Sequence, residues 1–207
     1  MSNRTRSLDA SGQQSTTPLD PVDARRLVGL AGLPTILAVG PFDDHTHARQ
    51  LADAFVTVRK RCTSQLVLLG AGAQRSFVTR HTSARGVGSS VHVVRGPRLG
   101  RWSELVAAAD LVVLGDSSET TTLVDVLALG RPVVAPADPA TVHLLLPAIA
   151  GLVYPPGDAS VMAAALLRLL TDPALRRGMG GRARNVARRH RLECDRWRVG
   201  HIGWQQV

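Results

Sequence analysis

Cysteine is nearly absent: Cys62 and Cys194 are the only two in 207 residues. They stand far apart and in no metal-ligand spacing, so neither a disulfide framework nor a zinc site is expected. Aromatic residues are scarce as well, at three Trp, one Tyr and three Phe. That leaves too few rings for base stacking, and nucleic acid is not expected as a partner. No apolar run approaches the roughly 18 residues that a bilayer demands, and residues 1–20 lack the apolar core of a secretory signal. A soluble cytoplasmic protein is therefore expected. Lysine is missing too, but for Lys60; the other basic residues are all arginine, and the net charge is +9.

The remaining composition is ordinary. Apolar residues make up 44% and charged residues 20% of the chain, as in a globular domain, and the length suits one well-cored unit. The positive charge is concentrated: nine arginines run from Arg176 to Arg198 against Glu193 and Asp195. Two readings of this stretch stay open, a solvated helix face or a peripheral dock on an anionic membrane surface at its inner face.

Residues 1–20 are polar and have little to bury, so a disordered tail is expected there. From Pro21 short β-branched or aliphatic runs appear, at 35–39, 65–69, 91–94, 111–114, 133–135 and 151–154. Runs this short and this apolar suit strands buried on both faces. Helical periodicity fills the gaps at 47–61, 74–84, 102–109, 121–129, 142–146 and 159–170. Asp158 is placed to cap the last of these, and Asp172-Pro173 opens one more helix. Gly130 stops the helix before it. Strands alternating with helices predict a single α/β, Rossmann-like, doubly wound parallel sheet over 21–192, with a C-terminal extension over 193–207. Ligands of such sheets bind beyond the carboxyl ends of the strands.

Two loops there merit attention. Gly70-Ala71-Gly72 begins the dinucleotide fingerprint, but Arg75 replaces its third glycine and no acidic residue lies between Gln74 and Glu104. A tight strand-to-helix turn is expected instead. The second loop, 115–119, leads into a helix beginning near Thr120, whose amino end suits a diphosphate. The hydroxyls of Thr120, Thr121 and Thr122 can donate to it, and Asp125 can accept from a ribose. Equally, Ser118 or Glu119 simply caps the helix and Asp125 is solvated.

That loop, its helix and the following LALGRPVVA (127–135) resemble the E-x(7)-E region of retaining GT-B glycosyltransferases, family 4 above all. PTILAVG (34–40), QLVLLGAG (65–72), VHVVRG (91–96), LVAAADLVVL (105–114) and the stretch 150–180 follow the same family in the same order. The resemblance implies the donor-binding C-terminal half of a GT-B fold. It implies a nucleotide-sugar donor, UDP- or GDP-linked, with no further cofactor and no metal. The donor-binding positions it carries over are Gly40, Glu119, Thr120, Thr121, Thr122, Asp125, Arg95 and Gly96, the base lying near the last two. Catalytic residues are not assigned.

The chain also departs from the pattern. The family's Gly-Arg pair and later Lys-Gly bind the diphosphate, but here Pro41 follows Gly40, and the Lys-Gly positions fall on Thr46 and His47. Charge-assisted bonds of that kind contribute about 1.5–3 kcal/mol each. His45 and His47 are expected on a solvated loop rather than as replacements. The first acidic position falls on Ser117 or, with two residues deleted, Glu119; the second falls on Asp125, one methylene short. Nothing before Pro21 is long enough to supply the acceptor half. Catalysis is therefore expected to need a partner half in trans, and a non-catalytic homologue acting as an interaction or regulatory protein is the alternative.

Overall fold

Six runs of largely apolar residues form six parallel strands, the four inner ones buried from both sides and the two edge strands buried only in part. They are β1 (Thr35–Val39), β2 (Gln65–Leu69), β3 (Val91–Val94), β4 (Leu111–Leu114), β5 (Val133–Pro136) and β6 (Gly151–Tyr154). The computed structural model describes residues 20–94, 102–115 and 120–202. Between the strands lie α2 (His45–Arg59), α3 (Arg75–Ala84), α4 (Trp102–Ala108), α5 (Thr120–Ala128), α6 (Pro139–Leu145) and α7 (Ala159–Thr171). α1 (Pro21–Val28) precedes them and α8 (Pro173–Ile202) follows.

The strand order is β3-β2-β1-β4-β5-β6, the doubly wound arrangement expected. Alternate residues of each strand feed opposite layers. Ile36, Ala38, Leu66, Leu68, Leu111 and Val113 pack with Leu51 and Phe55 of α2 and with Leu166 and Leu169 of α7. Leu37, Val39, Val67, Leu69, Val112 and Leu114 face the other way. They pack with Val106 of α4, Leu123 and Leu127 of α5, and Ala183 and Val186 of α8.

The helix ends follow the capping chemistry anticipated. Asp158 accepts from the backbone N–H groups of Ser160 and Val161, Asp172 accepts from that of Leu175, and Gly130 takes a left-handed φ of 71° after α5. Three starts differ from expectation by more than one residue, for one reason. α2 begins at His45 because Asp44 accepts from the N–H of His47, and α6 begins at Pro139 because Asp138 accepts from that of Thr141. α1 was not anticipated, although Asp20-Pro21 caps it in the manner of Asp172-Pro173. It is held by buried Arg25, which donates to Ala108 O at 2.9 Å and pairs with Asp110 at 2.5 Å. α8 continues past Leu192 to Ile202, through the start of the segment expected as an extension. The expected tail, but for Asp20, lies outside the described residues.

Two carboxyl-edge loops are zipped together. The N–H of Phe42 donates to Ala71 O at 2.9 Å, and that of Gln74 to Phe42 O at 2.8 Å. The Asp43 carboxylate accepts from the N–H of Ala73 at 3.1 Å. Gly72 has φ 138°, and a Cβ there would overlap the backbone of Phe42. Gly86, at φ 78°, has open space where its Cβ would be. Gly86→Ala should therefore cost only the left-handed backbone penalty, about 1 kcal/mol. Gly72→Ala adds an overlap with fixed backbone and should cost about 3 kcal/mol. Urea unfolding of both variants tests the difference; equal losses would mean that the loops part freely.

Candidate functional site at the carboxyl edge of β1 and β4

The sheet order reverses between β1 and β4, which splays the following loops and opens a crevice beyond the two strands. β1 leads into Gly40 and a cis Gly40–Pro41 bond. β4 leads into Gly115, and α5 starts at Thr120; Glu119 lies outside the described residues, as do Arg95 and Gly96. Between these strand ends sits His47, in the first turn of α2 and only 3% exposed. Its imidazole lies against Gly115, where a Cβ would come within 3.1 Å of the ring.

The solvated loop expected for His45 and His47 is thus corrected: Asp44 caps α2 early enough to wind both into it. His45 stays exposed and packs on Phe77, the ring centroids 4.7 Å apart. His47 goes inward. Its Nδ1 is 3.3 Å from the hydroxyl of buried Tyr154, which donates to Leu114 O at 3.0 Å. A phenol has one hydrogen; given to Leu114, it leaves His47 Nδ1 to donate to the tyrosine oxygen. Tyr154 so ties the ends of β4 and β6 to the first turn of α2.

Beside this, a cavity of about 30 Å³ is lined by Gly115, Thr120, Leu123, Asp138 and Thr141 among others. Thr120 and Thr121 are exposed and Thr122 half-buried. The carbonyl of Pro41, the residue after Gly40, lies 3.7 Å from where a Cβ on Gly115 would stand, and Thr120 shares the cavity with Gly115. Asp125 does not line the cavity. It lies on the exposed flank of α5 and pairs with Arg191 of α8 at 3.2 Å, both side chains more than half exposed. An exposed pair of that kind contributes at most about 1 kcal/mol.

Asp138 was not singled out from the sequence, though Asp138-Pro139 repeats the cap pattern of Asp172-Pro173. It accepts from the Thr141 hydroxyl at 2.5 Å and from the Thr141 N–H at 3.0 Å. Burial raises its pKa, but hydrogen bonds from Thr141 and Ala140 outweigh burial and hold it below 3.8.

The Gly70-Ala71-Gly72 turn is the tight turn expected. Its glycines permit close approach, Gly72 to Phe42 and Gly70 to Gly40, and Arg75 folds back to donate to Gly70 O at 2.8 Å. An open depression of about 250 Å³ borders Gly72, Arg75 and Val93 beyond β2 and β3. Among the described residues no group of His, Cys, Asp or Glu is arranged to hold a metal ion, and no helix is long and apolar enough to cross a membrane.

Comparison with known proteins accords with this architecture. A family model described as "Glycosyl transferases group 1" matches residues 33–172. Sucrose-phosphate synthase from Thermosynechococcus elongatus is 26% identical, with a TM-score of 0.76, over 88% of this chain and 48% of that one. The C-terminal domain of a group 1 glycosyl transferase, LpcC, from Francisella tularensis is 16% identical, with a TM-score of 0.69, over 81% of this chain and 90% of that one. HepE from Anabaena, solved in complex with UDP and glucose, is 19% identical, with a TM-score of 0.70, over 83% and 48%. The chain spans about half the length of the synthase. No curated protein sequence matches it.

Because the Asp138 carboxyl is held below its ordinary value, its contribution is present above pH 3.8 and is lost as pH falls through its lower folded value. Asp138→Ala should destabilise the chain by about 1 kcal/mol at pH 7. The gap from wild type should close on acidification below pH 4. Thermal unfolding across pH 3–7 reads this, and a constant gap would overturn the assignment.

Proposed function

The chain belongs to the group 1 glycosyl transferases, and from that membership we propose that it is the donor-binding lobe of a two-lobed transferase. The carrying observation is the crevice at the switch point of the sheet, where Gly115 and Thr120 line one cavity at the amino end of α5. A diphosphate seated there meets the positive end of the helix macrodipole. In this reading Gly40 forms the facing wall and Thr120, Thr121 and Thr122 hold the diphosphate. Glu119 takes the donor sugar, Asp125 the ribose, and the depression beside Val93 the base, next to Arg95 and Gly96. Asp125 exchanges its exposed contact with Arg191 for the ribose hydroxyls.

The reaction is transfer of the sugar with retention. The bond from its anomeric carbon to the diphosphate breaks, one to an acceptor oxygen forms, and the acceptor's proton is released with the nucleoside diphosphate. A second lobe, on the same polypeptide or another, closes over the donor, aligns the acceptor and excludes water.

A specific observation favours a second reading. His47 fills the position where the family pattern has glycine, and the two diphosphate-binding cations are replaced by Pro41 and Thr46. A homologue with this crevice can retain the fold and act through its surface without catalysis.

Thermal unfolding with UDP, GDP and their sugars separates the two. A donor at 100 times its dissociation constant should stabilise the chain by about 2.7 kcal/mol. Asp125→Ala and Glu119→Gln should each weaken binding about tenfold. No stabilisation by either nucleotide at millimolar concentration would overturn the donor-binding reading and leave the non-catalytic one.

A further inference from the structure

The amino ends of the strands carry a different surface. An open pocket of about 640 Å³ is walled by Arg131, Arg176, Arg177 and Arg184, and Asp20 and Asp110 line it too. Its charges do not balance. Asp110 is committed: it pairs with Arg25 at 2.5 Å and with Arg176 at 3.5 Å, and it accepts from the Thr35 N–H at 2.7 Å. Asp20 caps α1 through the N–H of Val22. Arg176 also donates to Leu169 O and Leu170 O.

Three guanidinium groups remain. Arg131 is tethered through Nη2 to Ala107 O at 2.7 Å, while its Nε is buried without a partner. Burial lowers its pKa; Asp110 opposes that shift, and Arg184 and Arg25 add to it. Neither the Arg177 nor the Arg184 side chain makes a hydrogen bond or ion pair among the described residues. Arg184 is positioned by packing instead. A Cβ on Gly130 would overlap its guanidinium, and one on Gly180 would overlap the Gly130 carbonyl. Two glycines thus let α5 and α8 close together with this cation over the junction.

We infer that this pocket binds a phosphorylated small molecule, whose phosphate groups are held by Arg131, Arg177 and Arg184. Planar guanidinium forks from separate elements match a tetrahedral oxyanion with several charges, where one carboxylate would satisfy only one of them. The volume lies in the range of small-ligand sites, and the concave wall favours an inserted group over a flat charged surface. It opens at the amino edge of the sheet, away from the crevice proposed for the donor.

Inorganic pyrophosphate, titrated at constant ionic strength into the full chain by calorimetry, tests this. Saturable binding of one pyrophosphate per chain is expected. Arg177→Gln/Arg184→Gln should weaken it by about tenfold or more. Arg188→Gln/Arg189→Gln removes the same charge from the same helix outside the pocket and should leave it unchanged. Absent binding, equal loss in both double variants, or binding that ignores both overturns the inference; the last would place pyrophosphate at α5. Vesicles of phosphatidylcholine with phosphatidic acid then identify the source. Co-sedimentation that pyrophosphate displaces and Arg177→Gln/Arg184→Gln removes assigns a lipid headgroup. Calorimetric binding without co-sedimentation assigns a free phosphorylated molecule.

Discussion

The backbone of Gly72 lies directly against that of Phe42, and the use of the carboxyl edge follows from this contact. It occurs because residue 72 has no Cβ and can hold φ 138°. Once the turn is in place, the Phe42 N–H donates to Ala71 O and the Gln74 N–H donates to Phe42 O across the two loops. The β1–β2 half of the edge is thereby occupied by protein. A parallel sheet offers its ligand crevice where the order reverses, so the open part lies between β1 and β4. The same contact gives the glycine-rich turn a structural purpose: close approach is needed there, but to another loop.

Much of this was legible in the sequence, because the four inner strands are buried on both faces and the edge strands β3 and β6 in part. Continuous apolar runs located all six, five with the observed bounds and β5 one residue longer, at Pro136. The helix starts were less legible, since a cap is one side chain and one hydrogen bond. Asp44, Asp138 and Asp20 each moved or created a start that periodicity alone did not show. The same small interactions decided the candidate site. His47 looked solvated because its neighbours are polar. Its burial depends on Tyr154, 107 residues away, and no local pattern reports such a partner.

The arginine pocket illustrates the same limit in a different way. The run from Arg176 to Arg198 is plain in the sequence and reads as one basic helix. Its sorting is not plain. Arg176 turns back to the end of α7, Arg191 reaches Asp125, and Arg184 stands over Gly130. Arg131 joins them only because Gly130 ends α5 beside α8. A charge run says how much charge is present; glycines at the helix junction determine which charges converge.

The two ends of the sheet therefore differ in what they can hold. At the carboxyl edge, the family's paired cations are absent from the β1 loop. An anion there would be held chiefly by neutral donors and the dipole of α5, a weaker hold than charge-assisted bonds. At the amino edge, the guanidinium groups of Arg177 and Arg184 make no ion pair among the described residues. The affinity of this half alone should then depend more steeply on salt at the amino edge than at the carboxyl edge, because screening acts on exposed full charges more than on a helix end meeting its ligand in a partly closed crevice.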